Sequence, residues 1–401
     1  MKVAIISSRE FSGGAAMAAH RLWLGLRECS ELVVRRYLEH REDPRSDAIE
    51  FSGMSRVDQA THALISSIGF GGSEGWRRVR QRQQLKALVK LLRREPPDII
   101  NIHSFNEWTR PGLARGTAAS ELAEIAPIVW TLHDLWPLTG VRGFTGAQEL
   151  SKRAVGCGAK TKEGKKLLAL GDRLTWVGPS QWMAEMARHG YGKSNRVAHI
   201  PYGIDTDELK PTDKRAARRE CNLPENAVII TLVAHFLHST LKGAEILVGA
   251  AARLPPDVLV LLVGDPGPDR TRYQRENVRL LGPISDSRLL RAVYAASDMI
   301  AVPSHEDNLP NVLLEAMAIG VPVIGANVGG IPDVIQHGSN GWIVPTNDQE
   351  QWVAALRGAI SDVKVDSARW RTRARELAVK SYALSVQANR YCEMFKQVRD
   401  R

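Results

Sequence analysis

Apolar residues in this chain fall in short runs separated by longer stretches of helical period. Lys2–Ser7, Asp98–Ile102, Ile128–Leu132 and Leu174–Val177 are apolar on both faces, as strands buried in a parallel sheet must be. Between and after them, Ala15–Leu26 and the segment from Gln181 carry the spacing of helices. Pro201 and Gly203 in His199–Asp205 break both periods and predict a linker. The alternation then restarts with strands at Val228–Ala234, Val258–Val263, Val278–Leu281, Met299–Val302 and Val321–Ile324. Arg375–Arg401 ends the chain as an amphipathic helix. The pattern predicts an α/β chain of two doubly wound Rossmann-like domains, 1–200 and 201–376, with a C-terminal helix, 377–401. Open α/β sheets bind ligands beyond the carboxyl ends of their strands, so two such domains are expected to face a central cleft.

A length of 401 residues fits two cores better than one, and 44% hydrophobic with 24% charged residues is the balance of a globular protein. No run of eighteen apolar residues predicts a membrane span. The opening MKVAIISS meets Arg9 and Glu10 too soon for a secretion signal and reads as the first buried strand. Cys29, Cys157, Cys221 and Cys392 are scattered, which predicts no zinc site, no disulfide framework and a reducing, cytoplasmic setting.

The formal net charge of +10 is uneven: residues 1–180 hold 27 Lys and Arg against 19 Asp and Glu. Eight of these cations lie in 76–94 (Arg77, Arg78, Arg80, Arg82, Lys86, Lys90, Arg93 and Arg94), with no acid among them. Trp76, Val79, Leu85, Leu88, Val89 and Leu92 give the same segment an apolar stripe. Such a helix can lie on an anionic membrane or form the solvated face of a core. No nucleic-acid module accompanies the charge, so no nucleic-acid partner is predicted.

The densest chemistry lies in Pro303–Ile324. Asp307 and Glu315 stand eight residues apart across a turn, Asn308-Leu309-Pro310, that leads into a helix beginning at Asn311. Free amides at a positive helix end suit phosphate or sugar hydroxyls, and flanking carboxylates can accept from hydroxyls. Lys242-Gly243 opens another helix, where a lysine can neutralise a diphosphate or simply face solvent. Gly13-Gly14 permits a close approach of ligand to backbone or a tight turn. His133 follows a buried strand, at its ligand end, and His103 ends the strand before it.

Glu315-Ala316-Met317-Ala318 with Gly320-Val321-Pro322-Val323 resembles the donor-sugar motif of retaining glycosyltransferases of family 4. Asp307, preceded by Glu306, stands where that family has its first Glu. His133-Asp134-Leu135-Trp136-Pro137-Leu138-Thr139-Gly140 is similar to the segment of members that build bacterial surface polysaccharides. The resemblance spans nearly the whole chain and is thin over 40–95 and 141–170. It implies a GT-B architecture, with the final helix crossing back to the first domain, and a metal-independent transfer from a nucleotide-sugar with no cofactor. Glu315 would take the ribose hydroxyls, and Asp307 or Glu306 the sugar hydroxyls. Lys242 would take the diphosphate, and His133 the donor sugar near its primary hydroxyl. Gly13, Gly14, Gly264, Ile284, Asn308, Leu309, Asn311 and Gly330 would line the donor. The acceptor expected is a growing glycan on a polyprenyl-type lipid carrier, with the protein peripheral on the cytoplasmic face of the inner membrane. Leu241 stands beside Lys242 where relatives often have Arg, with His235 and His238 the basic residues nearby. That departure keeps open a sugar-nucleotide-binding protein without turnover, and another GT-B enzyme such as an epimerase or a phosphorylase is the further alternative.

Overall fold

A computed structural model describes residues 1–51, 74–104, 115–140, 148–345 and 348–401, except the side chains of 74–80 and 148–150. The chain divides into two compact units. One comprises Met1–Pro201 with Gln387–Arg401, and the other Tyr202–Val386.

Among its described residues the first unit holds seven parallel strands: β1 (Lys2–Arg9), β2 (Val33–His40), β3 (Ile49–Glu50), β4 (Ile99–Ile102), β5 (Ile128–Thr131), β6 (Leu174–Gly178) and β7 (Arg196–His199). Their spatial order is β3-β2-β1-β4-β5-β6-β7. The second unit holds β8 (Val228–Phe236), β9 (Val258–Asp265), β10 (Val278–Gly282), β11 (Met299–Val302), β12 (Val323–Ala326) and β13 (Gly341–Val344), in the order β10-β9-β8-β11-β12-β13. Both sheets are doubly wound, giving the two Rossmann-like units that the apolar runs predict and the GT-B-like fold that the resemblance implies. In each, the strand order reverses beside the first strand, between β1 and β4 and between β8 and β11, and ligands settle at such points.

One face of the first sheet packs Leu85, Leu88, Leu92, Leu122, Met183 and Met186 from its helices. The other takes Leu22, Trp23 and Leu26 from the helix Gly14–Arg27. It also takes Tyr391, Met394, Phe395 and Val398 from the last helix, Leu384–Arg399. Each large apolar side chain so buried contributes about 1.5–3 kcal/mol, enough to fasten the end of the chain to the unit in which it began.

Several elements depart from the sequence reading. The predicted strand Val321–Ile324 lies at Val323–Ala326, because Pro322 has no amide to give and its carbonyl instead accepts from Ile300. The terminal helix is broken at Ala383, where Ile204 of the linker forms a parallel bridge. Cys29 and Cys392, 363 positions apart in sequence, bring their Sγ atoms to 3.0 Å as free thiols, and burial together with the neighbouring Cys29 pushes Cys392 up to about 12.

Candidate functional site

In the second unit the candidate residues gather where β8 and β11 part. Lys242 follows β8 and Asp307 follows β11, and Lys242 Nζ donates to Asp307 Oδ2 at 2.7 Å. The Ser304 hydroxyl donates to the same oxygen at 3.3 Å, while Oδ1 accepts the Asn308 amide at 3.1 Å. Asp307 is thus held by three donors, with little of its side chain exposed, whereas the Lys242 side chain is 39% exposed and open to an incoming anion.

Two glycines permit this approach. Gly243 has φ +66°, and a Cβ there would stand 1.9 Å from the Pro303 carbonyl oxygen. Gly329 has φ +53°, and its Cβ would stand 1.6 Å from the carbonyl oxygen of Asp307. Any side chain at either position drives the 303–307 loop outward. The Gly330 amide donates to the Asn308 carbonyl at 2.6 Å, which commits one of the amides expected to face phosphate.

Glu306 and Asp307 differ sharply. Glu306 Oε2 is sealed from solvent with no hydrogen-bond partner among the described residues, and desolvation raises the pKa of this carboxyl. Burying a carboxylate without donors disfavours its charge, so Asp307 is the better fixed anion.

Pro310 caps the helix Asn311–Ala318, whose Leu313, Leu314 and Met317 are buried. That burial turns Glu315 toward Tyr294, whose hydroxyl donates to Glu315 Oε2 at 2.9 Å. Sequence reasoning missed Tyr294 and Ser304, since a tyrosine in Ala292–Ala296 carries no motif. Asn308 and Leu309, within the turn, are buried. Gly264 lies at the end of β9 and Ile284 just past β10, and neither hydrogen-bonds Lys242 or Asp307 among the described residues.

In the first unit, Gly13 takes φ +96° and precedes the helix Gly14–Arg27. Its loop is fastened by Glu42, which accepts the amides of Phe11 at 2.6 Å and Ser12 at 2.9 Å. Behind it Arg36 pairs with Glu10 at 3.0 Å and lies 3.6 Å over the Trp23 ring. His133 lies just past β5, and its Nε2 is 3.0 Å from Nδ1 of His103, which ends β4. Burial pushes His133 down to about 3 and holds His103 well below the usual range, so both rings are neutral at working pH. Arg115 supports the loop after His133 by donating to the Leu138 carbonyl at 3.2 Å, and a Cβ on Gly140 would strike that guanidinium.

The helix Glu74–Arg94 buries Leu85, Leu88 and Leu92 and exposes Arg82, Lys86, Lys90, Arg93 and Arg94. The side chains of Trp76, Arg77, Arg78, Val79 and Arg80 lie outside the described residues. Arg93 pairs with Glu124 at 3.2 Å. Among the described residues no helix is long and apolar enough to cross a membrane, and no group of three or more His, Cys, Asp or Glu is placed to hold a metal ion.

Two family models match the chain: Glycosyltransferase Family 4 over residues 12–208, and Glycosyl transferases group 1 over residues 227–362. D-inositol 3-phosphate glycosyltransferase of Rhodococcus jostii is 29% identical over 327 residues, covering 76% of this chain and 69% of that protein. Its counterpart in Corynebacterium glutamicum is 28% identical over 330 residues, covering 76% and 75%. Among solved structures, sucrose-phosphate synthase of Thermosynechococcus elongatus superposes with a TM-score of 0.71 at 20% identity, covering 99% of this chain and 98% of that one. HepE of Anabaena, solved with UDP and glucose, gives 0.67 at 18% identity, covering 99% and 100%.

Proposed function

We propose that the chain, matched by glycosyltransferase family models over residues 12–208 and 227–362, takes a sugar from a nucleoside-diphosphate donor and transfers it with retention of configuration, without a metal, to a lipid-linked glycan in polysaccharide synthesis. The observation that carries this reading is the Lys242–Asp307 pair, set where the second sheet reverses. With no donor present the two charges neutralise each other. Donor arrival exchanges the pair: the diphosphate takes Lys242 and the sugar hydroxyls take Asp307. Stabilisation of the departing diphosphate by Lys242 is the electrostatic work that a metal does elsewhere. Glu315, steadied by Tyr294, receives the ribose hydroxyls. Retention follows from family resemblance: the acceptor attacks the face the diphosphate leaves, and the leaving phosphate takes the acceptor's proton. HepE, solved with UDP-glucose, makes UDP-glucose the first donor to try.

Glu315→Ala tests the donor assignment. The lost charged acceptor removes about 1.5–3 kcal/mol of nucleotide affinity. Calorimetry with the nucleoside diphosphate should show the loss, and unchanged affinity sinks the ribose role. Donor binding without turnover, across a panel of acceptors that includes inositol phosphate, would favour the binding-only alternative. An absorbance of lysine-bound pyridoxal would point to a phosphorylase instead.

The lipid-linked acceptor draws support from the basic face of Glu74–Arg94. Each Lys or Arg near an anionic membrane surface contributes about 1 kcal/mol, fading within a Debye length. The protein should sediment with anionic vesicles, less so as salt rises. Arg77, Arg78, Arg80 and Arg82 changed together to Gln should release it while transfer to a soluble acceptor analogue continues. A wild type that ignores such vesicles at low salt makes this an ordinary solvated face.

A further inference from the structure

We propose that Cys29 and Cys392 form an oxidation site, where a peroxide converts the two thiols to a disulfide that fastens the last helix to the helix Gly14–Arg27. Both cysteines lie in the first unit, and neither is among the residues read for the donor.

Packing on both sides holds the two sulfurs in place. The helix Gly14–Arg27 ends on Glu28 and the chain turns at once. In that turn the Cys29 amide donates to the Leu26 carbonyl at 3.1 Å, and the Cys29 carbonyl accepts the Leu32 amide at 3.0 Å. Cys392 follows Tyr391 on the helix Leu384–Arg399. Leu26, Tyr391 and Phe395 are fully buried in one cluster, and both cysteines pack against it, half-buried at its rim. An ion pair crosses the same seam: Lys396, one turn beyond Cys392, meets Glu31, two residues beyond Cys29. The sulfurs thus stand 3.0 Å apart on anchored segments. Closure by about 1 Å brings them to bonding distance. Neither Cys157 nor Cys221 contacts another thiol among the described residues.

Hydrogen peroxide balances the step. One cysteine attacks as its thiolate and breaks the O–O bond, giving a sulfenic acid and, with the proton it lost, one water. The second thiol then attacks that sulfur: the S–S bond forms, the S–O bond breaks and a second water leaves. The two sulfurs give up two electrons and the peroxide gains them. A sulfenic acid with a thiol 3.0 Å away is captured as the disulfide before another peroxide carries it to the sulfinic acid. The new bond joins positions 363 residues apart, so it restricts the unfolded chain far more than the folded one, where the two segments already touch. A thiol reductant reverses it by exchange.

The test treats the full-length protein with hydrogen peroxide, raised until the exposed Cys157 is oxidised. Iodoacetamide then blocks the remaining thiols, and the non-reduced digest is read by mass spectrometry. The Cys29 and Cys392 peptides should appear joined, two hydrogens lighter than their sum, and dithiothreitol should part them. In urea the same treatment should scatter links among all the cysteines. The oxidised protein should unfold on the order of 5–10 °C above the reduced one, and peroxide-treated Cys392→Ser should show no such rise. Cys29 and Cys392 recovered separately, at the dose that oxidises Cys157, overturn the site whether or not the variant folds. Links as scattered in the native protein as in urea overturn the placement of the pair. A joined peptide with an unchanged unfolding temperature overturns the fastening of the last helix.

Discussion

Asp307→Asn should reduce transfer to the donor's own rate of hydrolysis, while Glu306→Gln should stay close to wild type. Asp307 is the carboxylate with three donors fixing it, and it shares the charge of Lys242. An amide in its place keeps the shape but loses the charged acceptor that grips the sugar, and it leaves Lys242 without its counter-charge. Glu306 is desolvated at one oxygen and has its pKa raised, so a neutral amide disturbs it little. Initial rates for both variants at saturating donor decide the matter. The reverse order assigns the sugar to Glu306 and shifts the loop's register by one residue. Two mild effects would remove the turnover role of this loop altogether.

The second large effect belongs to Lys242→Ala. Its charge acts on the diphosphate as it leaves, and loss of one such contact costs about 2.7–4 kcal/mol of transition-state stabilisation, or roughly 10²–10³-fold in kcat. The ground state loses less, because Lys242 exchanges one anion for another when donor replaces Asp307. Calorimetry with nucleoside diphosphate should therefore show a smaller change than turnover does. Lys242→Arg should recover part of the rate. Activity that survives Lys242→Ala yet stops with EDTA contradicts the metal-free account.

The fold was legible wherever strands are buried on both faces. Met299–Val302 is an unbroken apolar run and Ile99–Ile102 is interrupted only by Asn101, and each is a central strand. β2 was hidden because Arg35 and Arg36 interrupt its run, and only the structure shows Arg36 buried against Glu10 and Trp23. β7 was hidden because four residues with mixed polarity carry no period. The site was legible as parts and less so as an assembly. Lys242, Asp307 and Glu315 could each be read from motifs, but nothing in spacing says that residues 242 and 307 share an ion pair 65 positions apart. Tyr294 and Tyr391 left no sequence signal, because their roles lie in a hydroxyl aimed at Glu315 and another at Thr131. The nearness of Cys29 to Cys392 likewise depends on where the last helix docks.

The central claim is donor-dependent sugar transfer through the Lys242–Asp307 site. Its most direct test is mass spectrometry of the nucleotides after incubation with mixed UDP-, GDP- and ADP-sugars and a lipid-linked glycan acceptor. The account predicts that one donor class is consumed, that its nucleoside diphosphate accumulates in step with a one-sugar mass gain on the acceptor, and that Lys242→Ala suppresses both. Donors left intact by the wild type, or nucleotide released equally by wild type and Lys242→Ala, would contradict it.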